Sequence, residues 1–517
     1  MLQKIRELSK NSAIYGLGEV AIQAVSFLLL RVFVLYLSPA DYGVLALLGS
    51  VEAVAKLFFR WGVDGAFMRL WYDCDDEASR QRLSSTLFFF LLAANGILLA
   101  LALAASPFAS RWLLGSEGYT LALALVLLNT FAIGFTFIPF HVLRIEKRAK
   151  EFSALAFGRS VGTLLLRLVL VIGFGMGIMG VVIADVVVTV VMMSIMVRWF
   201  APLIRPVFSR KLLRDALAFG LPRVPHGFAL QLMSVGDRFV LTFLQMPLEL
   251  IGVYSIGVSF GLVPKIALGA FEYAWAPFYY ATSREPDAAR VFSSLTTYGI
   301  AVLALMTAGL SAIARDLLAI ITRGQYVAAE PVVAWTAVGV FFYGIYLLTS
   351  IGLNITKRTQ FYPVSTAIGA VANLSLNFVL IPQYGIVGAS WANAAAYGLQ
   401  SAVAFRLSQR VYPIRYEHGR IARATAAAIV AYLVAMALPP MPPLPGLFVR
   451  GAAVVVTMAI LLWITRFFKP DELRALNAIR HRLRGQPAVT APPDTTEMMG
   501  EIVATDVADE PIPPGRP

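Results

Sequence analysis

The chain has 517 residues, of which 58% are hydrophobic and 14% charged, and its mean hydropathy is +0.73. Soluble domains average about 45–50% apolar and about 25% charged residues, so this composition excludes an ordinary soluble fold and predicts a membrane protein. The formal charge of +13 could suggest nucleic acid, but the cations lie between and inside apolar stretches and therefore indicate a membrane. The single cysteine, Cys74, excludes a disulfide framework, and four dispersed histidines give no zinc-type cluster, so neither a metal nor a cofactor is predicted.

Apolar stretches of spanning length recur along the chain. A helix needs about 20 mainly apolar residues to cross the hydrocarbon core of a membrane. The sequence therefore predicts an all-α polytopic membrane protein with fourteen transmembrane helices. These helices are expected near residues 12–36, 43–67, 84–105, 120–142, 153–173, 177–197, 215–243, 251–276, 291–313, 331–353, 362–382, 386–407, 420–438 and 447–466.

Basic residues are distributed very unevenly between these spans. With a cytoplasmic amino terminus, 30 Lys and Arg residues fall on the cytoplasmic side and only Arg111, Arg315 and Arg323 on the other. Because cytoplasmic loops are enriched in Lys and Arg, both termini are predicted to be cytoplasmic. The basic residues 468–485 are expected to lie on an anionic leaflet, and residues 486–517 are expected to be disordered.

The chain also contains a weak internal repeat. Residues 8–18 (LSKNSAIYGLG), at the start of the first span, resemble residues 212–222 (LLRDALAFGLP), at the start of the seventh. Both spans would start on the same side of the membrane, as in transporters built from parallel repeats. The repeat predicts a six-helix N-lobe in residues 1–200, a six-helix C-lobe in 201–410, and a terminal helix pair in 411–467.

Nine of the 43 Lys and Arg residues lie inside the apolar stretches. A cation in a membrane-spanning helix costs about 2.5–3.5 kcal/mol on insertion scales, so it normally faces a bundle interior or a wet cavity. Arg450, outside the two lobes, is expected to be an interfacial anchor. The other eight are the candidate substrate-binding residues of a cationic cavity: Arg31, Lys56, Arg60, Arg159, Arg167, Arg223, Arg238 and Lys265.

The second span carries a stripe of alternating charge. Its members recur at every fourth position: Glu52, Lys56, Arg60 and Asp64. That spacing places all four on one helix face with opposite charges adjacent. Two interpretations remain open, a self-neutralised stripe between helices or a cavity wall in which Arg60 exchanges Asp64 for a substrate phosphate.

The fifth span carries Arg159 and Arg167 and no acidic residue. Arg159 is nearer the cytoplasmic side, where snorkelling towards water is an alternative to ligand binding. Arg167 lies deeper and must find its partner elsewhere. That partner could be Asp185, Glu19 or an anionic ligand, for which a guanidinium is a good two-point receptor.

Two charged pairs mark the seventh and eighth spans. Asp237 and Arg238 are adjacent, and Lys265 and Glu272 share a helix face, where a purely structural contact is the alternative to a binding role. Transport would need an energy source such as an ion gradient or the consumption of product. The carboxylates proposed for ion coupling are Asp64, Asp237 and Glu272.

Five short motifs resemble those of one transporter family. They are Leu37–Gly43 (LSPADYG), Phe219–Pro222 (FGLP), Asp237–Arg238, Gly252–Ser255 (GVYS) and Trp275–Phe278 (WAPF). With them the chain resembles a polysaccharide flippase of the multidrug/oligosaccharidyl-lipid/polysaccharide (MOP) exporter superfamily. The resemblance implies MATE-like lobes around a central cavity that opens alternately to each side. It also implies transport of lipid-linked lipopolysaccharide O-antigen or exopolysaccharide repeat units across the bacterial inner membrane.

The charge balance of the predicted cavity favours an anionic substrate. Eight cations meet six acids, an excess that suits a polyprenyl pyrophosphate. No Walker loop, nucleophile elbow or sizeable extramembrane domain is present in the sequence, so an enzyme is not expected. Expected partners are the lipid-linked oligosaccharide, membrane lipids and polysaccharide polymerase or export machinery. The alternatives are a peptidoglycan-precursor flippase, which would share the cavity, and a multidrug cation antiporter, whose cavity should be acidic in balance.

The charge distribution predicts the outcome of a topology experiment. A reporter fused after Gly485 should be cytoplasmic, and a reporter inserted near Ser116 should be periplasmic. Alkaline phosphatase and green fluorescent protein fusions measure the two locations independently. The reverse location at either site would contradict the orientation.

Overall fold

A computed structural model describes residues 32–470 and 472. Within this part of the chain the fold consists of α-helices joined by short turns, with no β-strand. The helices are α1 Pro39–Arg60, α2 Val63–Tyr72, α3 Glu77–Leu114, α4 Thr120–Ile133, α5 Phe137–Ile145, α6 Ala149–Leu168, α7 Gly177–Phe200, α8 Arg210–Gly220, α9 Val224–Phe243, α10 Leu248–Gly261, α11 Val263–Thr282, α12 Ala288–Thr322, α13 Glu330–Thr349, α14 Ile351–Ile355, α15 Phe361–Val411, α16 His418–Met436 and α17 Pro443–Ile464.

Ten stretches of the described chain are long and apolar enough to cross a membrane, or eleven if α10 and α11, bent by 42° at their junction, form one span. The predicted all-α membrane architecture is confirmed, whereas the count of fourteen is not. The 51-residue α15 covers two predicted spans and bends at Gly385, where φ is 56°. The predicted span 215–243 is divided between α8 and α9, and the predicted span 12–36 begins outside the described residues.

The Leu37–Gly43 motif forms the start of α1. The Ser38 hydroxyl oxygen accepts a hydrogen bond from the Asp41 N–H (3.2 Å), and the Asp41 carboxylate accepts one from the Ser38 N–H (2.9 Å). This capping box satisfies N–H groups that the first turn leaves free, and Pro39 fits the first helical position because it has no N–H to satisfy. The helix therefore begins at residue 39, before the predicted 43.

The predicted helix 43–67 is not continuous. Trp61 (φ 49°) and Gly62 (φ 68°) both adopt the left-handed conformation and separate α1 from α2. Asn95 of α3 stabilises the break: its amide donates to the Phe59 carbonyl (2.7 Å), and its side-chain oxygen accepts from the Trp61 indole (2.8 Å). The amide thereby satisfies a carbonyl near the end of the helix. Hydropathy alone does not reveal this break, because the stretch around it is mainly apolar apart from Arg60 and Asp64.

Backbone contacts join α1 to the second half of the chain at both of its ends. A Cβ atom added to Gly43 would lie 2.0 Å from a backbone carbonyl oxygen of α10, and one added to Gly252 would lie 1.9 Å from a backbone carbonyl oxygen of α1. Helices α1 and α10 therefore touch without intervening side chains. Beyond the other end of α1, a Cβ on Gly62 would lie 2.4 Å from the Gly220 carbonyl oxygen of α8. Small residues permit this close approach between membrane helices.

Arg450 is not the interfacial anchor that the sequence suggests. Its guanidinium is 2.6 Å from the Asp316 carboxylate, and the two side chains are 13% and 4% accessible. Gly446 leaves room for the carboxylate, because a Cβ there would lie 2.7 Å from it. The pair therefore joins α17 to α12. The position of a residue along a spanning helix predicts its depth in the membrane, but it does not reveal which other helix packs beside that residue.

The chain divides into two compact units, residues 1–459 and 460–517. In the described part of the second unit, α17 ends at Ile464, and the Lys469 N–H donates to the Glu472 carboxylate (2.7 Å). The predicted tail 486–517 and most of the predicted basic segment 468–485 lie outside the described residues.

Gly43→Ala is expected to lower the thermal stability of the detergent-extracted protein, because the added methyl group forces α1 and α10 apart. Overpacking of this kind costs about 1–3 kcal/mol. Gly49→Ala is the matched control on the same helix, since its Cβ would meet nothing within 4 Å. That control should be neutral, or more stable by up to about 1 kcal/mol through helix propensity. Equal melting temperatures for the two variants would contradict the contact.

Candidate functional site

Charged and polar side chains line a cavity of about 440 Å³ between the two halves of the chain, which we call the charged cavity. Helices α1, α4, α6 and α7 contribute from the first half, and α9 and α10 from the second. Its polar lining includes Tyr42, Ser50, Glu52, Arg167, Asp185, Ser234, Arg238, Ser255 and Ser259. Two of the predicted cations, Arg167 and Arg238, therefore meet at one cavity.

Arg167 and Asp185 form a two-point ion pair in this cavity. The Arg167 Nε and Nη2 atoms lie 2.9 Å and 2.6 Å from the two Asp185 carboxylate oxygens. The residues face each other because each lies nine positions from Met176, in the turn of the α6–α7 hairpin. Their side chains remain 34% and 25% accessible. Of the partners that the sequence allows for Arg167, the structure places Asp185 there.

Asp237 and Arg238 form a more deeply buried cluster. Arg238 donates to the Ser255 hydroxyl (3.3 Å) and lies 3.4 Å from the Asp237 carboxylate. The other Asp237 oxygen accepts a hydrogen bond from the Tyr254 hydroxyl. The side chains of Asp237 and Arg238 are 3% and 12% accessible. Arg238 therefore reaches the cavity, while Asp237 is enclosed behind it.

The stripe on α1 forms two separate ion pairs. Lys56 lies 3.2 Å from Glu52, and Arg60 lies 2.9 Å from Asp64, so the charged neighbours predicted by spacing are in contact. The single helix face is interrupted, because the break after Arg60 places Asp64 on α2. One Asp64 oxygen is buried and has no hydrogen-bond partner within the described part of the chain. Both cations remain partly accessible.

Arg159 differs from the other cations of the first half. It is half-buried on α6, and within the described residues no carboxylate lies within 4 Å of its guanidinium. The charges that act on it are Glu52, Asp185 and Arg60, members of the pairs just described. Arg159 therefore lies near the same charged groups, and none of the described carboxylates pairs with it alone.

Arg223 lies apart from the charged cavity, near the contact between Gly62 and Gly220. Its guanidinium is 4.0 Å from the centre of the Phe219 ring, and Arg69 lies 5.1 Å from the same centre. A Cβ on Gly65 would lie 2.8 Å from Arg223 Nη1, so this arginine packs directly against α2.

A second cavity of about 460 Å³ lies among α9, α11, α13, α14 and α15, and we call it the aromatic cavity. Its aromatic lining consists of Trp275, Tyr279, Tyr343, Tyr346, Tyr362 and Tyr397. Sequence reasoning missed these tyrosines because they come from helices far apart in the chain. The available signal was the density of tyrosine in stretches otherwise apolar enough to span a membrane.

Lys265 and Glu272 both line the aromatic cavity, as their shared helix face predicts. The Lys265 ammonium lies 5.2 Å from the centre of the Tyr343 ring, a cation–π distance. No ion pair within 4 Å joins Lys265 to Glu272 among the described residues. The eighth predicted cation, Arg31, lies outside the described residues, so its placement stays a prediction.

Three solved structures share this fold. The lipid II flippase MurJ in an inward closed conformation gives a TM-score of 0.67 at 14% identity, covering 86% of this chain and 98% of that one. An inward-facing multidrug resistance MATE family transporter of the MOP superfamily gives 0.57 at 15%, covering 80% and 99%. The Vibrio cholerae MATE transporter VcmN in the bent form gives 0.52 at 15%, covering 78% and 97%. The chain thus has the fold of these three transporters.

The family of the chain is established by a match to a sequence profile. The profile of the family described as "Polysaccharide biosynthesis protein" matches residues 33–330, more than half of the chain. The chain belongs to this family. A search of curated proteins finds no significant match. The resemblance found in the helix-end motifs is therefore confirmed.

The pair formed by Arg167 and Asp185 should behave as a coupled unit. Arg167→Gln leaves a partly buried carboxylate unpaired, and Asp185→Asn leaves a guanidinium unpaired, so each variant should melt at a lower temperature than wild type. The double variant should recover about 1–2 kcal/mol relative to the sum of the single changes. Thermal unfolding of the four purified proteins measures this coupling. Strictly additive losses would show that the contact contributes nothing.

Proposed function

We propose that this protein flips polyprenyl-pyrophosphate-linked oligosaccharide repeat units across the bacterial inner membrane by alternating access. Its family and its MOP-superfamily fold support a flippase of polysaccharide biosynthesis. The proposal of an anionic substrate rests on the environment of Arg159. Its guanidinium is half-buried and stays charged, since arginine is not deprotonated in proteins.

Burial of an unpaired cation in a spanning helix is unfavourable, so Arg159 needs an anion. Within the described part of the chain, the acids whose charges act on Arg159 are already occupied, because Glu52 binds Lys56 and Asp185 binds Arg167. A pyrophosphate supplies several acceptor oxygens, and guanidinium binds such groups by parallel hydrogen bonds. Pyrophosphate bound beside Arg159 would offset this cost, which no acid among the described residues offsets.

The neighbouring ion pairs suit a site that must both bind and release. Asp185 and Asp64 compensate Arg167 and Arg60 when no substrate is bound, so these cations are not left uncompensated. The side chains of both arginines are at least one-third accessible. A phosphate can therefore compete with each carboxylate, and the carboxylate displaces the phosphate again on release.

The glycine contacts suit alternating access. In our proposal the lobes are residues 1–200 and 201–410, followed by the helix pair 411–467. The contact of Gly43 with Gly252 would close one end of the passage, and that of Gly62 with Gly220 the other. Rocking of the lobes would separate one contact at a time and expose the charged cavity to one side. Contacts without interlocking side chains can separate without rotamer changes.

We further propose that both termini are cytoplasmic and that a polysaccharide polymerase or export machinery receives the product. For ion coupling, Asp64 is the best placed of the three carboxylates, since among the described residues one of its oxygens has no hydrogen-bond partner and the other contacts Arg60. Glu272 faces the aromatic cavity. Asp237 is enclosed by Tyr254 and Arg238 and is less suited to exchange with water.

A peptidoglycan-precursor flippase is the second candidate, because such a precursor would present the same polyprenyl pyrophosphate to the charged cavity. The family match favours polysaccharide repeat units instead. A multidrug cation antiporter is disfavoured, since Arg159 is a positive charge near Glu52 and Asp185 with no carboxylate within 4 Å among the described residues.

Replacement of Arg159 tests the proposal. Arg159→Gln should lower glycan export by at least about tenfold at normal expression, the effect of losing about 1.5–3 kcal/mol of charged hydrogen bonding. Arg159→Lys should retain part of the activity, because an ammonium keeps the charge and loses the planar grip. Export is measured as surface polysaccharide in a strain that lacks the chromosomal gene.

Arg148→Gln is the matched control for this experiment. Arg148 lies at the start of the same helix, where it pairs with Glu146 and Glu151, and exposed pairs of this kind contribute little to stability. The control should export at the wild-type level. Wild-type export by Arg159→Gln would remove Arg159 from the site and with it the main support for an anionic substrate.

A further inference from the structure

We propose that the aromatic cavity is a subsite for the uncharged sugar residues of the substrate, beside a pyrophosphate held in the charged cavity. The inference rests on the proposed function and adds to it a separate place for the glycan. It assigns a role to a group of residues, mostly tyrosines, that the cation pattern of the sequence does not include.

The lining of the cavity matches the surface of a sugar ring. Sugars present apolar C–H faces and a rim of hydroxyl groups. Aromatic rings provide flat apolar surfaces for the faces, and the six aromatic residues here also bring hydroxyl groups and an indole N–H. Side-chain amides of Gln231, Asn354 and Gln400 add donors and acceptors. A volume of about 460 Å³ lies within the range of about 300–1,000 Å³ typical of small-molecule sites.

Three buried polar atoms of this lining have no hydrogen-bond partner among the residues that the structure describes. They are the Trp275 indole nitrogen, the Gln400 side-chain oxygen and the His226 Nδ1 atom. Trp275 and Gln400 are only 4% and 1% accessible as whole residues. Unpaired buried polar groups are costly and rare, so three around one cavity indicate a ligand with matching groups. Hydroxyl groups both donate and accept, and they can satisfy all three atoms.

The charges of the cavity favour an uncharged ligand. Within the described part of the chain, the lining contains one Lys, Lys265, and one Glu, Glu272, whose charges are opposite in sign, and it contains no Arg or Asp. The charged cavity differs, because two guanidinium groups, Arg167 and Arg238, line it, and guanidinium binds phosphate oxygens by parallel hydrogen bonds. A pyrophosphate is therefore better placed in the charged cavity and the neutral sugars in the aromatic one.

The two cavities meet at one residue. Ser234 lines both of them, and its carbonyl oxygen accepts a hydrogen bond from Arg238 (3.2 Å), which lines the charged cavity. A substrate whose phosphate binds near Arg238 could thus extend its sugars past Ser234 into the aromatic cavity. This order matches a molecule in which the glycan is attached directly to the pyrophosphate.

The test separates sugar binding from phosphate binding in the full-length protein in nanodiscs. The probes are inorganic pyrophosphate and the repeat-unit oligosaccharide released by mild acid from the lipid-linked pool of the producing strain. Calorimetric titration of each probe should show binding to the wild type. Trp275→Phe keeps one aromatic ring and removes the indole N–H together with part of the ring surface, so it should weaken oligosaccharide binding roughly three- to tenfold and leave pyrophosphate binding unchanged.

Trp391→Phe is the matched control. The Trp391 indole nitrogen is also buried without a partner, but it packs against Trp335 and Tyr384 outside the aromatic cavity. It should bind both probes as the wild type does. Gln400→Met, which removes the unpaired acceptor, gives a second reading should Trp275→Phe fail to fold.

Different results contradict the sugar subsite and the proposed function. Oligosaccharide binding that is absent, or unchanged in both Trp275→Phe and Gln400→Met, overturns the sugar subsite while leaving pyrophosphate binding intact. Equal loss in Trp391→Phe overturns it as well. Displacement of the oligosaccharide by ethidium would reassign the cavity to apolar cations. Absence of pyrophosphate binding to the wild type, or binding that Arg159→Gln does not weaken, contradicts the proposed function instead.

Discussion

The structure depends on how a membrane protein compensates positive charge that it cannot avoid burying. A guanidinium in a spanning segment cannot lose its proton, and hydrocarbon offers it no partner, so each arginine requires an anion nearby. The fold supplies acids in pairs: Arg60 with Asp64, Arg167 with Asp185, Arg238 with Asp237, and Arg450 with Asp316. Arg159 breaks this rule within the described residues. A site that must recruit an anion from outside needs such an incomplete arrangement.

Much of the fold could be predicted from sequence, because spanning length and hydropathy are properties of consecutive residues. The same holds for the pairs Glu52–Lys56 and Arg60–Asp64, whose members are four positions apart. What could not be predicted depends on neighbours from distant parts of the chain. The break at Trp61 is stabilised by Asn95 of another helix, and Arg450 pairs with Asp316 across 134 positions. The aromatic cavity likewise forms only when five helices meet.

The glycine contacts and the ion pairs have complementary roles. Backbones that touch at Gly43 and Gly252, and at Gly62 and Gly220, bring the two halves of the chain close enough to enclose a cavity at α1. The charges then lie on the walls between those contacts, where both halves contribute. Motion that separates one glycine pair would alter the wall without breaking Arg167–Asp185, since both members belong to the α6–α7 hairpin. The substrate could therefore meet the same cations from either side.

The central claim is that the protein moves a glycan because its charged cavity recognises the attached pyrophosphate. The most direct measurement uses purified protein in proteoliposomes that carry a labelled oligosaccharide on polyprenyl pyrophosphate in the inner leaflet, with an external glycosidase to report its arrival outside. The account predicts protein-dependent translocation of this lipid and little translocation of the same glycan on an uncharged polyprenyl lipid. Equal rates for both lipids, or no acceleration of either, would contradict it.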